Sequence, residues 1–403
     1  MINVSLNKKI IFFGFIFTFF CSFGQSFFLG LFNPSIRETL SITHGQFGSI
    51  YASATLLSSF ILVWIGKKID DMDIVKFASF VVILLSASSF LFSKISSIIF
   101  LFFAIFLMRL SGQGLMSHTA STTISRYFEK SRGKALSTTW LGLSSAEFIM
   151  PLFIVFLLTS VEWRNIWISI SILVICFLPI VIFFTVRNIK LDTRENSVSD
   201  NKIKKEIKQW KRTEVLKDYR FYIISLNMLA MPWIATGSFV YQSFISSSKG
   251  WGPYIIAQSF MVYSVLSVIT LFFSGFLIDK FTSRKLLIYM NIPLIFSAFT
   301  LFYFDSPISS FVFFGFIGIS NGFANVLGSS TWAEIYGVKY IGSIKALTTS
   351  LMVFSTAFGT ALFGILIDNG FTIEQIALIS ATYISIAIIS IYSIKNKLNP
   401  IYI

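Results

Sequence analysis

Charge is scarce in this chain: charged residues fill 12% of its 403 positions, with 18 acidic against 32 basic side chains. A soluble fold of this length needs a much larger polar surface, which excludes a soluble enzyme or binding domain. Cysteine is nearly absent. Cys21 and Cys176 both fall in apolar stretches, so there is no disulfide framework and both are expected as packing residues. Histidine occurs twice and the potential metal ligands are scattered, so no metal centre is expected. A Gly-rich loop leading into Lys and Ser/Thr is missing as well, which argues against ATP-driven work. No catalytic constellation and no cofactor follow from these residues; an enzyme is not expected.

What the chain has instead is hydrophobicity, at 55% of residues, with 48 Phe. A bilayer core of ~30 Å needs about 20 apolar residues per helix. About twelve such stretches occur, near 10–33, 45–66, 74–93, 96–121, 134–159, 165–186, 220–246, 253–278, 285–304, 307–331, 343–368 and 372–394. The expectation is an all-α membrane protein of twelve spans in two bundles, residues 1–186 and 220–403, joined by a linker over 187–219. The net charge of +14 is distributed by topology. With a cytoplasmic N-terminus, 27 basic residues fall on the cytoplasmic side and four (Arg37, Lys94, Arg164, Lys249) on the other, with Arg109 inside a span. That is the positive-inside bias; it places both termini in the cytoplasm and makes nucleic acid an unsuitable partner. The first span follows Lys8 and Lys9 but is too long for a signal segment and lacks a small-residue cleavage site, so it is expected to be retained. Within the linker, Ile203, Ile207 and Trp210 share a helical face opposite Lys202, Lys204, Lys205, Lys208 and Lys211. This predicts an amphipathic helix on the anionic leaflet, or a linker helix with a solvated basic face.

The two halves repeat each other. Lys134-Ala135-Leu136-Ser137-Thr138-Thr139 opens one apolar segment and Lys345-Ala346-Leu347-Thr348-Thr349-Ser350 opens another, 211 positions later. Gly66 and Asp70 recur 209 positions on as Gly275 and Asp279. Parallel repeats in a membrane chain point to a transporter with its substrate path at the interface of two related bundles.

Gly66-Lys67-Lys68-Ile69-Asp70 after the second span, and Gly275-Phe276-Leu277-Ile278-Asp279-Lys280 with Arg284-Lys285 after the eighth, resemble the duplicated loop signature of the major facilitator superfamily, Gly-x-Leu-x-Asp-Arg-x-Gly-Arg-Lys. The resemblance covers essentially the whole chain. It implies a twelve-helix transporter of a bacterial inner membrane, with Gly66, Asp70, Gly275, Asp279, Lys280 and Arg284 as a gating latch. The glycines would permit close helix approach, and the aspartates would pair with basic side chains or sit at helix N-termini. The first copy departs from the pattern: Asp71 stands for its Arg, Asp73 for its Gly and Ile74-Val75 for its basic pair, so Asp70 is expected to have an unusual partner. In the second copy Thr282 replaces the Gly.

Arg109-Leu110-Ser111-Gly112-Gln113-Gly114 is similar to the family's fourth-helix motif. A charge at this depth costs ~2.5–3.5 kcal/mol on insertion scales and needs a partner. Glu147 is the expected one, since both residues lie about 12 positions, ~18 Å, below the outer face. Two alternatives stand: Arg109 binds an anion or couples protons, with Glu147 releasing it on protonation, or the two form a static ion pair. Gln113, Gln25, Asn33, Asn227, Gln242, Asn321 and Asn325 are each expected as interhelical ties or, together, as the lining of a polar cavity, and His118 is either a proton relay or a packed histidine. Gly142 through Pro151 partly resembles the family's antiporter motif, with Met150 where a Gly is expected, and Trp163-Arg164 matches a family junction of interface anchors. Pro34 is expected to end or kink the first span. The expected function is a secondary transporter of a small polar solute, an organic anion such as a carboxylate, working as a monomer by alternating access with a coupled proton or solute gradient. The alternatives are a proton-coupled exporter of neutral or cationic compounds and a non-transporting membrane receptor or assembly factor.

Overall fold

The computed structural model describes residues 4–128, 132–187 and 208–401, and among them every regular element is helical. The chain forms two compact units, Met1–Glu195 with Phe239–Ser243, and Asn196–Ser238 with Phe244–Ile403.

The first unit begins with α1, a bent pair, Lys8–Gly24 and Ser26–Leu40, that turns by 43°. The bend lies at Gln25, whose backbone is extended (φ −83°, ψ 153°), and not at Pro34 as expected. Pro34 instead sits in the first turn of the closing segment Asn33–Leu40, where its missing amide costs no hydrogen bond. Five helices follow: α2 (His44–Gly66), α3 (Ile74–Ser93), α4 (Ile98–Tyr127), α5 (Arg132–Leu158) and α6 (Trp163–Thr185). Their starts are written in the sequence. Thr43 and Gln46 form a reciprocal cap on α2, and Asp73 accepts from the amides of Val75 (2.9 Å) and Lys76 (3.3 Å) at the head of α3.

In the second unit, α7 (Tyr219–Val240) leads to a short helix, Gln242–Lys249, assigned in part to the first unit. Then come α8 (Pro253–Phe281), α9 (Ile292–Tyr303), α10 (Pro307–Tyr336), α11 (Ile341–Asp368) and α12 (Ile373–Ser393). Prolines open α8, α9 and α10 in the first turn, and Gly337 (φ 82°) ends α10.

Ten of these helices are long and apolar enough to cross a membrane, and α1 makes eleven if its halves count as one span. The ninth expected span is shorter than 285–304 suggests. Ser283–Leu286 forms a separate turn of helix, and α9 proper has 12 residues, below the ~20 that a full crossing needs. Exposed side chains such as Trp64, Phe184 and Phe276 give the helices an apolar outer surface suited to lipid.

The internal repeat is physical as well as textual. The Lys-Ala-Leu phrases open α5 and α11. Gly142 of α5 meets the Phe15 carbonyl of α1 so closely that a Cβ would lie 2.0 Å from it, and Gly359 of α11 meets the Trp233 carbonyl of α7 the same way, at 2.2 Å. Backbone contact at these crossings lets a hydroxyl reach across each pair: Thr18 donates to Thr139 O (2.6 Å) and Ser355 to Leu229 O (2.9 Å). Of the linker helix expected around 203–211, all but residues 208–211 lies outside the described residues. Residues 208–211 are not helical, and Trp210 packs against the protein core, with its ring 5.5 Å from that of Tyr336, rather than presenting a membrane face.

Candidate functional site

The centre of the first unit is organised by two glycines. Gly24 at the bend of α1 and Gly112 on α4 touch through their backbones: a Cβ on Gly24 would lie 2.4 Å from Met108 O and 2.5 Å from the Gln113 nitrogen. Both chains are irregular here. On α4, Arg109–Met116 winds as a π-helix, a form often found at functional sites. On α1, the Phe28 amide turns to Gln25 O (3.2 Å) and leaves the Gly24 carbonyl without that helical donor.

Arg109 uses the freed acceptor. Its Nη1 donates to Gly24 O at 3.1 Å and to Ser26 Oγ at 3.4 Å. The guanidinium also lies 5.3 Å from the ring centre of Tyr51 on α2, whose hydroxyl donates to Ser26 Oγ at 3.1 Å. The side chain is 2% exposed, and its Nε has no hydrogen-bond partner among the described residues. Among the described residues Arg109 forms no ion pair.

The expected Arg109–Glu147 pair is therefore absent, and packing explains why. α1 contacts α4 through Gly24 and α5 through Gly14, Phe15 and Thr18, so residues at equal depth on α4 and α5 face α1 rather than each other. Glu147 is buried, makes no hydrogen bond or ion pair among the described residues, and lies within electrostatic reach of Cys21. Gln25 donates weakly to that thiol (3.8 Å). Gln113 is half-buried, with its carbonyl taken by Ser117 Oγ (2.5 Å). Arg109, Gln25 and Gln113 thus gather around the α1–α4 contact, and Glu147 stands apart as a lone buried carboxyl.

The polar residues expected in the second half have different roles. Asn227 is fully buried and ties helices together, one of the two roles expected of it. It donates to Leu287 O (3.0 Å) and accepts from Asn291 (2.9 Å), pinning α7 to the turn before α9. Asn321 donates to Ser267 Oγ (2.9 Å) between α10 and α8, while Asn325 is exposed. Asn33 and Gln242 donate to main-chain carbonyls, Val240 O (2.9 Å) and Phe27 O (2.8 Å), and serve as ties. His118 Nε2 is 3.1 Å from Gly66 O, a packed histidine. Cys21 is buried and Cys176 exposed, so only the first packs internally. Among the described residues no group of three or more His, Cys, Asp or Glu could hold a metal.

The loop signatures form ion pairs of opposite polarity. In the first unit Asp70 on the α2–α3 loop pairs with Arg126 at the end of α4, the unusual partner anticipated for it. In the second unit Asp279 is exposed and forms no ion pair among the described residues, and a Cβ on Gly275 would have no described atom within 4 Å. Arg284 instead pairs with Glu334 of α10 (Nε–Oε1 3.1 Å), whose other oxygen accepts from Ser283 N (2.9 Å), Ser283 Oγ (2.5 Å) and Arg284 N (3.3 Å). Lys280 lies over the Phe281 ring. Arg126 and Glu334 are 208 positions apart, within a few residues of the repeat offsets, so the sequence held a signal for both. Tyr51 carried none.

The solved structure of a bacterial homolog of the human lysosomal transporter Spinster, inward-facing and unoccupied, superposes with a TM-score of 0.73 at 15% identity, covering 98% of both chains. The nucleoside transporter NupG gives 0.71 at 14% identity, over 97% of this chain and 99% of that one. At such identities the likeness is one of fold. No curated protein matches the sequence. The sequence profile of the Major Facilitator Superfamily spans residues 14–360, most of the chain. This protein is a major facilitator superfamily member, a multi-pass membrane transporter of small-molecule solutes and not an enzyme.

Proposed function

We propose that this transporter carries a small organic anion, a carboxylate first, across a bacterial inner membrane by alternating access, with both termini in the cytoplasm. The observation that carries this reading is Arg109: a guanidinium buried in mid-span, held by a carbonyl, a hydroxyl and a ring, with no carboxylate to neutralise it among the described residues. Such a charge is costly in a membrane interior unless something anionic visits it, and a carboxylate accepts from guanidinium in two parallel bonds. Nε, which has no partner among the described residues, supplies one of the donors such a bond pair uses.

A second reading rests on Glu147. A buried carboxyl without partners among the described residues is a natural proton carrier, and it would serve a proton-coupled exporter of neutral or cationic compounds. The structural neighbours do not choose between the two, since one handles nucleosides and the resemblance is of fold alone.

Thermal stabilisation of the purified protein by carboxylates, sugars, amino acids and cationic drugs at two pH values tests these readings. Ligand at 100 times Kd stabilises by ~2.7 kcal/mol. A shift with carboxylates that is lost in a folded Arg109→Gln protein supports the anion reading. A shift confined to cations or neutral compounds, retained in Arg109→Gln and lost in Glu147→Gln, replaces it with the exporter.

A further inference from the structure

Asp218 and Arg220 flank the start of α7, and both are buried. Arg220 Nε and Nη2 each reach Asp218 Oδ2 at 2.8 Å, and Asp218 also accepts the Arg220 amide (3.0 Å) and the Tyr336 hydroxyl (3.2 Å). This leaves Nη1 of Arg220 to donate to two carbonyls of the C-terminal segment, Lys397 O and Asn399 O, both at 3.1 Å. The end of the linker closes on the same place. Lys208 N–H donates to Ile401 O (2.8 Å), Trp210 N–H to Tyr336 O (3.0 Å), and the Lys339 amide to Gln209 Oε1 (2.9 Å). One buried guanidinium thus joins the linker end, the start of α7 and the C-terminal segment into a single ledge on the second unit.

The ledge is basic. Segments 208–220 and 395–401 carry seven basic and two acidic residues. Asp218 is spent on Arg220. Glu214 is spent on Lys208 (3.4 Å) and on the Lys211 amide (2.7 Å), and that backbone bond, aided by the nearby lysines, holds its carboxyl below the usual range. Lys211, Arg212, Lys217, Lys395 and Lys397 remain exposed with no carboxylate partner among the described residues. Tyrosines are interleaved with them. Tyr219, Tyr222 and Tyr392 are each half or more exposed at the ends of α7 and α12, with Lys395 Nζ 3.8 Å over Tyr392 and Lys397 Nζ 5.9 Å over Tyr219. Aromatic bodies with polar tips beside lysines suit the headgroup level of a bilayer, and the adjoining apolar surface, Leu216 and Ile389, suits acyl chains.

We propose that this ledge is a binding site for anionic phospholipid, with Lys217, Lys395 and Lys397 taking the headgroup phosphate and Arg220 holding the linker and C-terminal segment in register to form it. The proposal goes beyond the transport function and does not depend on which solute is carried. It differs from general attraction between a basic face and an anionic leaflet in being local and in requiring the buried lock.

Native mass spectrometry of the full chain, titrated with phosphatidylglycerol in zwitterionic detergent micelles, tests it. Each basic residue near an anionic surface is worth about fivefold in affinity, so Lys217→Gln/Lys395→Gln/Lys397→Gln should weaken binding by about 100-fold. Lys67→Gln/Lys68→Gln/Lys76→Gln removes as many exposed charges from the α2–α3 loop and the first turn of α3 and should leave binding within about fivefold of the unaltered protein. Arg220→Gln should weaken binding while raising hydrogen exchange over 208–215 and 395–401 together. Equal losses in the two lysine variants, undiminished binding in the first, or competition by inorganic phosphate as effective as by the lipid would each overturn the proposal.

Discussion

At φ 71° and ψ 149°, Thr282 holds a backbone conformation that is essentially reserved for glycine, and its hydroxyl is buried without a partner among the described residues. The family signature has Gly at this position, whereas Asp73, the corresponding residue of the first copy, sits at φ −58° and is spent on capping α3. Replacing Thr282 by Gly should therefore raise stability by about 1 kcal/mol, measured as a shift in the denaturation midpoint in detergent; destabilisation would mean that the threonine makes a compensating contact. The opposite substitution is costly at the α1–α4 contact. Gly24→Ala would drive a methyl into the Met108 carbonyl and the Gln113 nitrogen, both backbone atoms that cannot swing aside. A loss of about 3 kcal/mol or failure to fold is expected, and near-neutral behaviour would contradict the contact. Residues of this kind were only half legible. The substitution of Thr for Gly at 282 could be read in the sequence, but not its backbone angle. Arg109 and Glu147 could be read as buried charges, but equal depth on two helices does not fix the direction each side chain takes around its helix axis, and α1 lay between them.

Between elements, the repeat preserves positions and inverts charges. Arg126 on α4 answers to Glu334 on α10, and Arg164 at the head of α6 to Glu374 at the head of α12, 210 positions later. In the first unit Arg164 donates to Ile95 O at 2.9 Å. In the second, where Glu374 and Asp305 are both acidic, Lys249 fills the gap, at 2.6 Å from Asp305 and 2.8 Å from Glu374, and Trp251 Nε1 donates to Asp305 O (2.7 Å). The Lys249 side chain is 1% exposed, against 76% for Asp305 and 37% for Glu374. Removing the lysine costs the buried partner of two loops, whereas removing Asp305 leaves Lys249 still paired. The thermal midpoint should accordingly fall more for Glu374→Gln, which leaves the buried ammonium with one exposed partner, than for Asp305→Asn, which should cost under about 1 kcal/mol. The reverse order would contradict the burial. The same contrast separates the loop pairs. Asp70–Arg126 is largely solvated and should contribute under about 1 kcal/mol, whereas Glu334 satisfies four donor groups, and Glu334→Gln should cost about 2 kcal/mol. The loop phrases and the span order were legible because twofold repetition of short motifs survives drift. Which residue partners which was not, because ion pairs tolerate exchange of sign.

For the molecule as a whole, the apolar spans, the duplication and the loop signatures were enough to identify a major facilitator superfamily transporter, and the profile over residues 14–360 agrees. Less legible was how regular the spans are. The break at Gln25, the π-helix at Arg109–Met116 and the shortened α9 all arise where close backbone contact or a proline overrides hydropathy. Two of those irregularities frame Arg109, and the account centres on that residue. The most direct test is flux of a labelled carboxylate into proteoliposomes holding the purified protein, compared with folded Arg109→Gln. Saturable uptake that falls at least about tenfold in the variant is the expected result, as for loss of a charge-assisted hydrogen bond. Undiminished carboxylate flux in Arg109→Gln, or flux restricted to neutral and cationic solutes, would contradict it.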